Sequence, residues 1–335
     1  MRNETRVLFN AYQAAIAQLN GIPSAATKFA VEPTVQQRLE KRIQESSDFL
    51  GQISVVPVNE LKGEKVGIGV SGTIASRTDT SGAGERATSD VKDLTSQDYE
   101  AKQTNYDTHI RYATLDAWAK FPNFQTLLRD AIIQQCALDR LMIGFNGTSA
   151  AATTNRTTYP LLQDVNIGWL KHIETEAAER VITEGATEDV VKIGATGDWK
   201  NLDALVYEAV NSLIEPWHRS NPGLRVVIGR GLNTDHVVPQ IEGYPQPTER
   251  EALNRYIAAS RIGGVPTLQV PYVPAGTMLI TILKNLAIYY QEGGRRRSII
   301  DNPKKDRIEN YESSNDAYVV EDFGAACLIK NIEFV

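Results

Sequence analysis

Thirty consecutive residues with almost nothing to bury, Ser76 to Asn105 (SRTDTSGAGERATSDVKDLTSQDYEAKQTN), lie between two stretches that alternate like strands. Val66, Ile68 and Val70 alternate before it. Tyr106, Thr108, Ile110, Tyr112 and Thr114 alternate after it, with Asp107, His109 and Arg111 on the opposite side. Unstructured segments of this length are uncommon inside compact domains and are functional or disordered where they occur. Two strands joined by so long a polar tip predict a ribbon over about 55–115 that projects from the body. A two-stranded ribbon alone is marginal in water, so such an arm requires a partner surface. The chain is therefore expected to assemble.

The remainder can bury a core. Of 335 residues, 42% are hydrophobic and 23% charged, which is ordinary globular usage and excludes disorder, collagen and coiled coil for the chain as a whole. At roughly 150 residues per domain, two domains are expected. The 41 acidic and 35 basic residues leave a net charge of -6. Proteins that live by gripping phosphates usually carry a basic surplus, so a dedicated nucleic-acid binder is disfavoured. Cys136 and Cys327 have no paired spacing and read as small buried hydrophobes in a reducing compartment. No apolar run has signal-peptide or membrane-spanning length, which predicts a soluble, non-exported protein. The sequons at Asn146 and Asn155 then carry no glycan.

Leu8, Phe9, Tyr12, Ala15, Ile16 and Leu19 line one face of a helix that Gly21 and Pro23 stop. A second helix follows Pro33, with Val35, Leu39, Ile43 and Leu50 at steps near four and Thr34 and Gln37 spaced as a capping box. The aperiodic Ser24–Glu32 between them reads as an exposed joint, the kind of segment where proteolytic nicking concentrates. The strongest helix spans 121–145. Phe121, Phe124, Leu128, Ala131, Leu138, Met142 and Phe145 keep its spacing, and a second apolar face (Leu127, Ile132, Leu141) predicts cover on two sides. A third helix is expected from Asp198, as N-cap, to His218. Leu224–Ile228 reads as a buried strand, 249–259 as a short helix, 278–290 as one or two strands, and 317–320 and 326–332 as closing strands. Without a repeating βαβ order, the class is α+β.

Gly67-Ile-Gly-Val-Ser-Gly72 matches the GxGxxG spacing, but no helix start follows it, so the glycines read as part of a strand and not as a dinucleotide loop. His109, His172, His218 and His236 are scattered without metal-ligand spacing. There is no GxSxG nucleophile elbow, and Asp316, Glu321 and Asp322 do not rise above ordinary surface carboxylates. Arg295-Arg296-Arg297 with Lys304, Lys305 and Arg307 is the one basic cluster. It reads as a solvated loop between strands or as a charged contact with an acidic neighbour or nucleic acid.

Longer strings carry a resemblance. MRNETR, SAATKFAVEPTVQQ, IQESSDFL, GVSGTIASRTDT, QTNYDTHIRYATLDAWAKFPNFQ, LDRLMIGFNGTSAAATT, PLLQDVNIGWL, LKNLAIYYQEGGRRRSIIDNP and ENYESSNDAYVVEDFG resemble the major capsid proteins of peduovirus-type tailed bacteriophages, in nearly colinear blocks from residue 1 to 335. The resemblance implies a Hong Kong 97-type capsid fold. Residues 1–31 would be a removed precursor extension, 32–54 an N-arm, 55–115 the extended E-loop and 116–169 the P domain with its spine helix. The A domain would span 170–275, and 276–335 would return to the P domain.

In that family an internal scaffold with protease activity trims the N-terminus. AATKFAVEP matches the trimmed region, which places the cut near Val31 and Glu32. The implied partners are further copies of the chain in hexamers and pentamers, the scaffold-protease, a portal protein at one vertex and packaged double-stranded DNA held without base readout. A satellite size-determination factor is a further implied partner. Arg295, Arg296, Arg297, Lys304 and Lys305 would face DNA or a neighbouring subunit. No catalysis, cofactor or metal is implied. The site of action would be the host cytoplasm during assembly and then the virion capsid. An encapsulin-like cargo compartment is the alternative within this fold, against which the cleavable extension speaks. A nucleotide-binding enzyme using GIGVSG is the alternative outside it.

Overall fold

The computed structural model describes residues 1–66, 69–70, 75, 77–81, 85–86, 88, 92–93, 96–119, 124–232 and 261–335. Its helices are α1 (Asn3–Leu19), α2 (Pro33–Glu45), α3 (Tyr112–Trp118), α4 (Phe124–Asn146), α5 (Trp169–Glu176), α6 (Leu202–Leu213) and α7 (Pro216–Arg219). The strands of the N-terminal third are β1 (Phe29–Ala30), β2 (Ser54–Val58), β3 (Lys62–Val66), β4 (Gly69–Val70), β5 (Lys92–Asp93), β6 (Ser96–Glu100), β7 (Lys102–Asn105) and β8 (Thr108–Arg111). Those that follow are β9 (Val181–Ile182), β10 (Val191–Ile193), β11 (Leu224–Ile228), β12 (Arg261–Ile262), β13 (Val265–Gln269), β14 (Met278–Ile282) and β15 (Leu286–Gln291). The last four are β16 (Arg296–Asn302), β17 (Arg307–Val320), β18 (Ala326–Ile329) and β19 (Ile332–Phe334).

Two sheets organise the body. One has the order β12-β13-β11-β14-β18-β9 and is covered on both faces. Val226, Ile228, Ile280 and Cys327 point toward α6, while Val227, Leu279 and Leu328 join the core around α4 and α5. Burial on both faces is why Val226–Ile228 is an apolar run with no alternation. The other sheet runs β1-β16-β17-β15-β2, with β7 and β8 also paired to β17. Its inner face meets α2, α4 and α5 around the fully buried Trp169, whose ring packs on Phe49, Phe145 and Tyr318.

The polar arm differs from the sequence reading in its pairing. β3 pairs antiparallel with β6, Lys62 opposite Glu100 and Val66 opposite Ser96, and β4 pairs with β5. The second strand of the ribbon therefore comes from within the stretch read as structureless. Thr108–Arg111, read as that partner, joins the body by pairing with β17. The alternation also overran its strand. At Tyr112 the chain turns into α3, where the Tyr112 hydroxyl donates to Asp301 and the ring packs on the N-terminal cluster. Of the GIGVSG motif, Gly69 and Val70 form β4, and the other four residues lie outside the described ones.

Several boundaries move for identifiable reasons. α1 appears as read, with Gly21 at φ +62 after its end, a conformation glycine adopts without a Cβ penalty. The cap of α2 is Glu32, whose carboxylate accepts from the Thr34 amide at 2.9 Å with Pro33 in the first turn. Gln37 donates instead to Glu292, so there is no capping box. Asn201 caps the third helix, accepting from Ala204, because Asp198 is occupied by the amides of Ala186 and Lys192. That helix stops at Leu213, where Pro216 enforces an extended residue before the short α7 and leaves Trp217 exposed. In α4, Ala131 is exposed, whereas Arg140, Leu141, Ile143, Gly144 and Phe145 are buried on every side of the helix. Phe121 and the helix read over 249–259 lie outside the described residues.

Candidate functional site: the N-terminal joint and the charged seam

The joint is exposed at Ser24, Ala26, Thr27, Lys28 and Ala30, as its composition suggested, but it is not free of the body. Ala25, Phe29 and Val31 are buried, and with Phe9 and Ile16 of α1 they pack on Ile299 of β16 and Ile308 of β17. Their spacing lets β1 add to the β16 edge, with Phe29 opposite Arg297 and Ala30 opposite Arg296. The Val31 amide donates to the Arg295 carbonyl at 2.8 Å, and the Ile299 amide to the Ala25 carbonyl at 2.9 Å. α1 is fixed by Arg6, which donates to Asp301, by Gln13, which donates to the Ile299 carbonyl at 3.0 Å, and by Arg297, which donates to the Tyr12 hydroxyl at 3.3 Å. The fit is incomplete. A cavity of about 290 Å³ remains between α1 and the body, lined by Leu8, Phe9, Leu39, Ile43, Leu115 and Ile132 among others.

Beneath the joint runs a buried charged seam. Arg140 of α4 donates to Glu40 of α2 at 2.5 Å and approaches Asp316 at 3.3 Å. Arg295 donates to the other oxygen of Glu40 at 2.6 Å and to Glu312 at 2.7 Å. The hydroxyls of Ser314 and Tyr106 donate to Asp316 at 2.7 and 3.3 Å. Glu40, Glu312 and Asp316 thus face Arg140, Arg295 and the half-buried Arg297, which lies 3.8 Å from Glu312, so the seam closes with balanced charge. Burial works against both guanidinium ions, yet the carboxylates around them hold Arg140 and Arg295 above their ordinary range. Buried groups this polar are tolerated only when paired and hydrogen-bonded.

The five basic residues singled out in the sequence do not form one surface. Arg295 is 1% exposed and belongs to the seam, because it leads into β16 on the inward-facing alternation; Arg297, two residues on, is half-buried for the same reason. Arg296, Lys304 and Lys305 are exposed, Arg296 on the outer side of β16 and the lysines on the turn after it. Val31 is buried and Glu32 caps α2. Sequence reasoning missed Glu40 and Glu312, and it read Asp316, which is fully buried against Arg140, as an ordinary surface carboxylate. One signal was available: Gln36, Glu40 and Ile43 share helical spacing, so a charged residue sat on a face that had to be covered.

Acid will test the seam. Burial alone would raise the pKa of Glu312, but Arg295 and Arg297 hold it below the ordinary carboxylate range; Tyr112 and Arg6 likewise overcome burial at Asp301. A depressed folded pKa means that, as pH falls, the unfolded chain takes up the proton first. The stabilisation is complete above the unfolded value of about 4.3 and is lost as pH drops through the folded one. Urea midpoints are expected to hold steady down to about pH 5 and fall below about pH 4. Glu312→Gln is expected to flatten that fall, and an unchanged slope would remove Glu312 from the account.

The ribbon is anchored to the body at its base. Lys65 donates to the carbonyls of Val320, at 2.8 Å, and of Glu321, and pairs with the Glu321 carboxylate at 3.4 Å. Burial pushes the Lys65 ammonium below its ordinary pKa. The Tyr99 ring stands edge-on to Tyr289 at 5.1 Å, and the Tyr289 hydroxyl donates to Glu321 at 2.8 Å. Cys136 and Cys327 are free and buried, their thiols pushed up to about 12 by desolvation.

A polar ribbon whose described base is anchored to the body, a terminal segment packed on a sheet edge and a two-sheet body are the features of a subunit made to be joined to others. The comparisons specify which kind. The family described as phage major capsid protein, P2 family, matches residues 8–332. The chain is 49% identical over 341 residues to the capsid proteins of Escherichia phage P2, covering 99% of this chain and 96% of that one. It is 44% identical over 342 residues to the major capsid protein of Serratia phage KSP20, covering 100% and 98%. A chain in the satellite phage P4 procapsid that includes the size determination protein matches with TM-score 0.82 and 47% identity, over 100% of this chain and 99% of that one. The chain belongs to the P2 family of phage major capsid proteins. It has the Hong Kong 97-type fold and is a structural component of the capsid shell. Among the described residues, no helix is long and apolar enough to cross a membrane.

Proposed function

We propose that the chain is made as a precursor in the host cytoplasm, assembles into hexamers and pentamers on an internal scaffold-protease, and loses residues 1–31 by a cut between Val31 and Glu32. The observation that carries this reading is the match over essentially the whole chain, N-terminal segment included, to capsid proteins of one family. In this reading 32–54 is the N-arm, 55–115 the E-loop, 116–169 and 276–335 the P domain and 170–275 the A domain. The role is structural, with no reaction catalysed by the chain. A portal protein occupies one vertex, and a satellite size-determination factor can reset the shell diameter.

Contact with packaged double-stranded DNA or a neighbouring subunit falls to Arg296, Lys304 and Lys305. Arg295 and Arg297 are already engaged with carboxylates, and phosphate contacts need free cations. Co-expression with the cognate scaffold-protease, electron microscopy of the pelleted material and N-terminal sequencing test the reading together. Closed icosahedral shells whose chains begin at Glu32 are expected. Shells that keep Met1 would remove the cut, and soluble chain without shells would remove the assembly pathway.

A further inference from the structure

We propose that residues 25–36 form a latch that withholds the Val31–Glu32 bond from proteolysis until the segment peels from β16. The inference rests on the processing reading and adds a precondition to it.

A protease takes its substrate as an extended strand whose main-chain groups pair with the enzyme. On both sides of this bond those groups are already used. On the N-terminal side, β1 is paired to β16 and the Val31 amide is bonded to Arg295. At the bond itself, the Glu32 amide donates to the Asn20 side chain at 3.1 Å. On the C-terminal side, the Glu32 carbonyl accepts from Val35 and Gln36, both at 2.9 Å, so the chain is already helical. The Gln36 side chain is wholly buried, donating to the Gln291 carbonyl at 2.9 Å and accepting from the Gly293 amide at 3.0 Å. Cutting in place is therefore excluded by geometry. Both β1 and the first turn of α2 must open locally first.

The opening is within reach because the cover is imperfectly packed. An open pocket of about 290 Å³ beside α1, lined in part by the exposed Leu8, leaves some of the apolar surface between α1 and the body unfilled. Where opening and closing are fast, the cutting rate follows the population of the open form. A contact that lifts α1 or β1, such as that of an assembling shell, would then license the cut.

The test is a reversible staple, Ala30→Cys with Arg296→Cys. These residues are opposite each other and exposed. The flanking bond from Val31 to Arg295 makes theirs a non-hydrogen-bonded pair, with Cα atoms about 4.5 Å apart, inside the disulfide range. The native thiols are buried and protonated, so they do not compete. Thermolysin is applied to the full chain oxidised and reduced, and cuts within 25–36 are located by N-terminal sequencing.

The oxidised form is expected to be cut there at least tenfold more slowly than the same protein reduced. Equal rates would overturn the latch. Phe9→Ala, which thins the cover without altering the cut sequence, is expected to speed cutting of the otherwise native chain at least tenfold, and an unchanged rate would also overturn it. The native chain co-expressed with its scaffold-protease is sequenced in parallel. If it never acquires an N-terminus near Glu32, the processing reading fails, while the thermolysin comparison still decides the latch.

Discussion

Replacing Arg140 with methionine is expected to cost about 3–5 kcal/mol of folding stability, because it leaves buried carboxylates without their cation. Glu40 keeps Arg295, but Asp316 loses its guanidinium partner and retains only hydroxyl donors. The loss would appear as a lowered urea midpoint. The double variant with Asp316→Asn, which neutralises the carboxylate left without its cation, decides the cause. If the cost is unpaired charge, the double variant should recover part of it, giving a coupling of about 0.5–3 kcal/mol between neighbours in one network. If the two losses simply add, the seam is hydrated and ordinary.

Trp169→Ala is the second large effect, at about 3–5 kcal/mol. The indole is fully buried, lies 5.4 Å from the rings of both Phe145 and Tyr318, and donates to the Ala287 carbonyl at 2.9 Å. It also fixes a glycine: a Cβ on Gly144 would fall 2.2 Å from the Trp169 ring. Gly144→Ala alone should therefore overpack the core and cost about 1–3 kcal/mol. With Trp169→Ala the same change should turn neutral or favourable, since alanine is a better helix former than glycine by about 1 kcal/mol. Thermal unfolding of the four proteins reads this sign reversal. Its absence would mean that another contact holds Gly144.

What the sequence disclosed follows hydropathy closely. α6 was legible because its apolar residues recur at the helical period and are buried as that period implies, and β11 because a short apolar run is buried on both faces. α1 and α4 were legible by the same helical period, although Leu8, Ala15 and Leu19 of one stripe and Ala131 of the other are exposed. β16 and β17 were not legible as a pair. Arg295, Glu312, Ser314 and Asp316 face inward, and hydropathy assigns such residues to solvent because it sees each charge without its partner. The ribbon strand Ser96–Glu100 lacked alternation because it pairs within an arm that has little core to face. The joint was misread for a different reason. Ala25, Phe29 and Val31 are too few to form a pattern, yet enough to fill a groove already made by Ile299 and Ile308. The assembly character was legible in the arm, while the seam that ties α2, α4 and the sheet together was visible only as a basic cluster given the wrong surroundings.

β17 has a mechanical consequence. Its fourteen residues are bonded along one side or the other to β7, β8, β15 and β16, so strands from both halves of the chain hang on one segment. Ladder bonds in antiparallel pairs lie perpendicular to the strands. Tension along β17, as when a filled container pushes outward on its wall, loads these bonds in shear and all at once, whereas a force lifting one end would break them one by one. The fold therefore resists stretching in the plane of the sheet far better than peeling out of it. β7 and β8, paired along β17, share its stiff direction, and β1 at the edge of the sheet is the strand most open to peeling.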